Sequence, residues 1–88
     1  MSAERILIDL EVLEFLRTLR SAEQRDLLRR FRAIGSAPDS FTDYLESDAS
    51  GRKVSVHVYG RFAIKFWDDF ADRHVKILDV HRADRRPG

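Results

Sequence analysis

The spacing of apolar residues changes once along this chain, and that change limits the folds it can adopt. In residues 1–40, apolar side chains recur every three or four positions, as in Val12, Leu16 and Leu19, which is typical of amphipathic helices. From residue 53 onward they alternate with polar residues, as in Val54 and Val56, which is typical of half-buried strands. Helices followed by strands predict an α+β fold with the helices packed on one face of a sheet.

The helical half has recognisable start and stop signals. A short β-prone run over residues 5–9 comes first, and Asp9 is the predicted N-cap of the first helix. Ser21 followed by Gln24 is a capping-box pattern for a second helix, and Gly35 is its predicted C-cap. Because only a residue or two separate the helices, we expect an antiparallel helical hairpin.

The second half predicts a three-stranded antiparallel meander, and its first connection defines the two sheet faces. A two-residue turn would place Arg61 opposite Val58, whereas a three-residue connection pairs Val58 with Phe62 and keeps the apolar residues together. We therefore predict the three-residue form, with Gly60 at positive φ. The opposite face would then display Lys53, Ser55, His57, Ala63, Lys65 and Trp67. The continuous apolar run from Val75 to Val80 suits a central strand.

Composition narrows the functional classes. With 88 residues, the chain is expected to form one domain over residues 1–88, with 85–88 frayed. It has no cysteine and no apolar run near the ~20 residues that span a bilayer, so we expect a cytoplasmic protein without disulfides or membrane contact. Asp68, Asp69 and Asp72 lack the regular spacing of a calcium loop and are interpreted as a solvated turn. No metal or cofactor is predicted.

Three short segments, one at the end of the first predicted helix and two in the predicted strands, are similar to those of one known family. They are Leu16-Arg17-Thr18-Leu19, Tyr59-Gly60-Arg61-Phe62-Ala63-Ile64 and Ile77-Leu78-Asp79-Val80-His81-Arg82-Ala83-Asp84. Taken with the order of elements, they make nearly the whole chain resemble the RelE/ParE superfamily of bacterial type II toxins.

The resemblance implies a toxin of a toxin-antitoxin system, silenced by a cognate antitoxin. RelE-like members cleave mRNA on the ribosome without a metal, and ParE-like members inhibit DNA gyrase. Ribosome-dependent mRNA cleavage is the favoured hypothesis, with the ribosome and mRNA as partners. A ParE-like gyrase inhibitor, or a non-catalytic antitoxin-binding module with the same fold, remains the alternative. This sequence has Ser55, Phe62 and Ala83 where RelE-like enzymes have basic residues, which leaves the mechanism open.

The resemblance also indicates which residues to examine. Lys53 aligns with a strand lysine of RelE-like enzymes, and Arg61 and Arg82 lie beside the positions of two family arginines. His81 has an imidazole whose ordinary pKa of ~6.5 suits proton transfer. The predicted catalytic residues are thus Lys53, Arg61, His81 and Arg82. Cations and an indole that suit phosphate pairing and base stacking are predicted to bind RNA, namely His57, Lys65, Trp67, Arg85 and Arg86.

Overall fold

The computed structural model describes residues 5–83 and confirms the predicted α+β fold. The elements in chain order are β1 (Arg5–Ile8), α1 (Leu10–Leu16), α2 (Ser21–Ser36), a 3₁₀ helix (Pro38–Phe41), β2 (Tyr44–Ser47), β3 (Lys53–Tyr59), β4 (Phe62–Asp69) and β5 (His74–Arg82). The predicted meander gains one strand, because Tyr44–Ser47 pairs as β2. Arg85, Arg86 and the expected frayed end at 85–88 lie outside the described residues.

The five strands form one mixed sheet in the order β1-β5-β4-β3-β2. Strands β2 to β5 are antiparallel neighbours, whereas β1 pairs in parallel with β5. The helical hairpin carries the chain from β1 at one edge to β2 at the other. The prediction that the run from Val75 to Val80 is an inner strand is confirmed, since β5 lies between β1 and β4.

The main core lies between the helical hairpin and one face of the sheet. Its residues come from both helices, the turn between them, β4 and β5, and are Val12, Leu16, Leu19, Leu27, Phe31, Ile34, Phe62, Ile64, Phe66, Val75, Ile77 and Val80. Phe31 and Phe66 are the largest side chains that are almost fully buried there. Burial of these aromatic and branched side chains is the main force that holds the helices on the sheet.

The helix ends agree only in part with the sequence signals. Asp9 is the N-cap of α1, as predicted. The capping box is wrong, because Arg20 is the N-cap of α2 and the Nε2 of Gln24 donates to the carbonyl of Leu19 at 2.9 Å. The predicted C-cap is also wrong: Gly35 is buried within the last turn, and α2 continues to Ser36.

The predicted three-residue connection between β3 and β4 is wrong. Tyr59 pairs with Phe62 and Val58 pairs with Ala63, so the turn has two residues, Gly60 and Arg61. The positive φ of Gly60 is confirmed at 60°, and Gly at the first central position with positive φ is typical of a type II′ hairpin.

This register divides the predicted basic face between the two sides of the sheet. We call the side away from the helices the outer face. Lys53, Ser55 and His57 lie on the helix side with Phe66 and Ile64, whereas Ala63, Lys65 and Trp67 lie on the outer face.

The outer face also buries apolar residues, which explains the register. Val54 and Val56 are 3% and 0% exposed there, although they are not part of the main core. Lys65 on β4 reaches Glu46 on β2 with 3.0 Å between Nζ and Oε1, so the pair spans β3. Long aliphatic stems of this kind cover apolar surface while their charged ends stay in water.

Candidate functional site

The cations of the outer face are paired with carboxylates. Besides the Lys65–Glu46 pair, the Nζ of Lys76 lies 3.0 Å from Asp69. Hydrogen bonding to Lys76 lowers the pKa of Asp69, and Asp69 is buried at the end of β4. Asp68, the preceding residue of β4, is half-buried, so the solvated-turn interpretation is wrong for these two residues. A phosphate approaching this face therefore meets neutralised charge rather than a positive platform.

Trp67, a predicted stacking residue, already carries two cations against its ring. The guanidinium carbon of Arg52 lies 4.2 Å from the ring centroid, and the Nζ of Lys76 lies 5.1 Å from it. Asp48 holds Arg52 in place through an Nε–Oδ2 contact of 2.9 Å. A base could stack on the indole face beneath Arg52 only by displacing that guanidinium.

His57, a predicted RNA-binding residue, is enclosed on the helix side of β3. Its ring packs edge-on against Phe41, with 5.2 Å between centroids, and is stacked near Tyr59 at 6.2 Å. Its Nδ1 lies 3.0 Å from Oδ2 of Asp43, and the side chain is 12% exposed. The imidazole therefore joins the 3₁₀ helix to the sheet, and little of it can reach an RNA.

The four predicted catalytic residues are not brought together. Lys53 begins β3, six residue steps before Tyr59, which places it roughly 20 Å from the turn that carries Arg61. Its ammonium donates to the hydroxyl of Ser47 at 3.2 Å. His81 lies opposite Ala63 on the outer face, exposed, with its Nδ1 2.8 Å from Asp79.

Arg61 and Arg82 do share a site at one end of the sheet. The backbone N–H of Ala83 donates to the carbonyl of Arg61 at 2.7 Å, which fastens the end of β5 to the β3–β4 turn. Arg82 lies opposite Phe62 on the helix side, with its guanidinium carbon 5.8 Å from that ring centroid. Both arginines line an open cavity of about 460 Å³, called here the arginine cavity.

The other wall of the arginine cavity comes from the connection between the helices. Its residues are Thr18, Leu19, Arg20, Ala22 and Glu23. The Nη2 of Arg61 donates to Oε2 of Glu23 at 3.0 Å across this wall. Because Arg20 and Ala22 stand at the N-terminal end of α2, the helix dipole adds to the positive potential. The sequence does not indicate Arg20 or Glu23 as site residues, since Glu23 is separated from Arg61 by 38 positions and belongs to no local motif.

A second, smaller cavity of about 250 Å³ lies along α2 and reaches Tyr59. The phenol of Tyr59 donates to Asp26 at 2.7 Å, and the guanidinium of Arg30 lies 4.1 Å from its ring centroid. These contacts fix β3 against α2 and so hold the β3–β4 turn in position beside Glu23.

The described part of the chain has neither a cluster of metal-binding side chains nor a helix that could span a membrane. Within residues 5–83, no group of three or more His, Cys, Asp or Glu side chains could hold a metal ion. No helix among these residues has the length and apolar character needed to cross a bilayer.

Comparison with known proteins identifies the fold. No protein-family model and no curated protein matches the sequence. A solved structure, the archaeal RelE-RelB complex from Pyrococcus horikoshii OT3, contains a chain that is similar in structure with a TM-score of 0.76 and 18% sequence identity. The similarity covers 97% of this chain and 100% of that chain. This chain therefore has the fold of the matched chain of that complex over nearly its whole length, as the resemblance implied.

Proposed function

We propose that this chain is the toxin component of a toxin-antitoxin system and acts on RNA in the cytoplasm. The main support is that Arg61 and Arg82 line one open cavity at the end of the sheet. The chain also has the fold of a chain in the RelE-RelB structure. The partner in that structure is RelB, and we propose an antitoxin as a partner for this chain.

The arginine cavity suits the chemistry of metal-independent RNA cleavage. In that reaction the 2′-hydroxyl gives up its proton and its oxygen attacks the adjacent phosphorus, the bond to the 5′-oxygen of the next nucleotide breaks, and that oxygen leaves with a proton. The products are a 2′,3′-cyclic phosphate and a free 5′-hydroxyl, and charge grows on the phosphate oxygens in the transition state. Guanidinium groups hold phosphate by paired, charge-assisted hydrogen bonds. Arg61 gives one N–H donor to Glu23, and because its side chain is 58% exposed, its other N–H donors can reach a ligand. Arg82 is half-buried against Phe62. We assign phosphate binding to these two arginines and propose translation inhibition by mRNA cleavage as the outcome.

The positions of Lys53 and His81 favour a second candidate. Neither lines the arginine cavity: Lys53 lies at the far end of β3, and His81, the neighbour of Arg82 in sequence, lies on the outer face of the sheet. A protein that only binds its target, such as a gyrase inhibitor or an antitoxin-binding module, does not need them. The two candidates differ in the cellular process that stops first.

A pulse-labelling experiment separates these functions. The protein is induced in bacteria without a partner, and incorporation of labelled amino acid and labelled thymidine is followed over the first minutes. We expect amino-acid incorporation to fall first. An early fall in thymidine incorporation alone would instead support gyrase inhibition, and normal rates with folded protein would support the non-catalytic module.

Matched arginine and lysine variants connect the effect to the cavity. Arg61→Gln and Arg82→Gln each remove one cation from the cavity, and we expect each to reduce the inhibition of translation by at least about tenfold. Lys53→Gln removes one cation from the far end of β3 and should leave the inhibition within about twofold. Equal losses in all three variants would show that total charge, rather than the cavity, is responsible.

A further inference from the structure

A carboxylate stands inside the arginine cavity. Glu23 lies in the first turn of α2, with its side chain 25% exposed and Oε2 3.0 Å from Nη2 of Arg61. The same cavity is lined by Arg20 and Arg82. The anion thus faces the position that a bound phosphate would take.

For a ligand that offers only a phosphate, Glu23 is a disadvantage, because like charges repel in a partly enclosed site. A ligand with a hydrogen-bond donor next to its phosphate can use the carboxylate instead. The ribose of RNA carries such a donor in its 2′-hydroxyl, and DNA does not. The pair of opposite charges therefore matches the hydroxyl-and-phosphate unit of a ribonucleotide.

We propose that Glu23 is a specificity-determining residue that accepts a hydrogen bond from the 2′-hydroxyl while Arg61 and Arg82 hold the adjacent phosphate. Only Oε2 is used by Arg61, and a carboxylate has a second oxygen with lone pairs available. The cavity volume of about 460 Å³ falls within the ~300–1,000 Å³ of ligand pockets. This inference rests on the proposed action on RNA and adds the residue that distinguishes RNA from DNA.

The test compares oligonucleotides that differ only in the 2′ substituent. Fluorescence anisotropy measures the affinity of the whole protein for single-stranded RNA, for DNA of the same sequence and for the fully 2′-O-methylated RNA. We expect the unmodified protein to bind RNA about tenfold more tightly than DNA, because DNA lacks the one hydrogen bond that the 2′-hydroxyl would donate to a charged acceptor. The 2′-O-methyl RNA has no donor, so it should bind no more tightly than DNA.

Variants at position 23 assign the preference to the carboxylate. Glu23→Ala should bind RNA and DNA within about twofold of each other and should bind DNA more tightly than the unmodified protein does, because a repelling charge is gone. Glu23→Gln keeps an acceptor oxygen and should retain part of the preference. Glu11→Ala removes an exposed acid from the first turn of α1 and is the control for net charge, with an unchanged ratio.

Several outcomes would overturn the proposal. They are equal affinity of the unmodified protein for RNA and DNA, binding to neither, tight binding of 2′-O-methyl RNA, or an unchanged ratio in Glu23→Ala. The 2′-O-methyl comparison needs no variant and so remains decisive if Glu23→Ala fails to fold. RNA preference without growth inhibition would refute the toxin function and leave the role of Glu23 standing, whereas growth inhibition without RNA preference would refute only that role.

Discussion

The guanidinium of Arg52 lies over the Trp67 ring, 4.2 Å from its centroid, on the sheet face that carries no helix. Asp48 binds the same guanidinium from the β2–β3 turn, and Lys76 approaches the ring from β5 at 5.1 Å. These contacts join the β2–β3 turn to β4 and β5 across the outer face. The contacts stabilise the face of the sheet that no helix covers, which gives Trp67 a structural role.

Replacement of Trp67 by alanine tests this role. We expect Trp67→Ala to lower the free energy of unfolding by about 2–3 kcal/mol, through lost burial of the half-buried ring and lost contacts with the two cations. RNA affinity, measured on the folded fraction, should stay within about twofold. Urea unfolding followed by circular dichroism gives the first quantity and anisotropy the second. A stable variant with tenfold weaker RNA binding would instead support the predicted stacking role.

The two-residue turn between β3 and β4 depends on Gly60. Its φ of 60° is unfavourable for side chains with a Cβ, although an added Cβ would meet no atom within 4 Å. The cost of Gly60→Ala is therefore backbone strain rather than a clash, and we expect a loss of about 1–2 kcal/mol in thermal or urea unfolding. Because Arg61 is the next residue, RNA affinity should fall as well. A neutral Gly60→Ala variant would mean that the turn relaxes to another form.

Periodicity predicted the order of the elements because each helix and strand buries one repeating stripe of side chains. It failed at the register of β3 and β4, because it assumed that every buried residue faces the helices. Val56 is fully buried on the outer face and pairs with Lys65. A pairing of a lysine with a buried valine looks unfavourable from the sequence alone, so the sequence does not predict this register. The Lys65–Glu46 pair spans β3 on this face, and long side-chain stems of this kind shield apolar residues from water although their charged ends are hydrophilic.

The candidate site could be predicted only where its residues lie close in sequence to the strand ends. Arg61 and Arg82, which accompany a turn and a terminal strand, were predicted from the sequence, and both line the arginine cavity. Arg20 and Glu23 were not, since only the packing of α2 against the end of the sheet places them beside Arg61. Lys53 and His81 lie outside the arginine cavity, and resemblance to a family does not reveal which sheet face or which end of a strand a residue occupies.

The contact between His57 and Asp43 predicts one tautomer of the imidazole. Oδ2 of Asp43 accepts the backbone N–H of Val58 at 2.7 Å and lies 3.0 Å from Nδ1 of His57. The Val58 hydrogen bond, with a smaller effect of His57, lowers the pKa of Asp43. The carboxylate therefore needs a proton on Nδ1. We expect ¹⁵N NMR at neutral pH to show the Nδ1–H form for His57, and the more common Nε2–H form would contradict this contact.

Removal of the Asp43 carboxylate should weaken the attachment of β2 to β3. We expect Asp43→Ala to cost about 1–2 kcal/mol in urea unfolding, through the loss of two hydrogen bonds at a partly exposed site. Asp39→Ala removes an exposed carboxylate from the neighbouring 3₁₀ helix and serves as the control, with a much smaller effect. Equal stability of the two variants would mean that the Asp43 contacts add nothing.

The β2–β3 turn should lose stability at low pH through Asp48. Hydrogen bonds from the Ser50 hydroxyl, the backbone N–H groups of Arg52 and Ser50, and the charge of Arg52 lower the pKa of Asp48 from 3.8 to about 2. Because the pKa of Asp48 is lower in the folded than in the unfolded protein, its ionised carboxylate stabilises the fold. This stabilisation is complete above pH ~4 and disappears as the pH falls toward ~2. NMR titration of the carboxyl carbon should give a midpoint near pH 2. Asp48→Asn should remove this part of the pH dependence, and a midpoint near 3.8 in the unmodified protein would show that the turn does not bind the carboxylate.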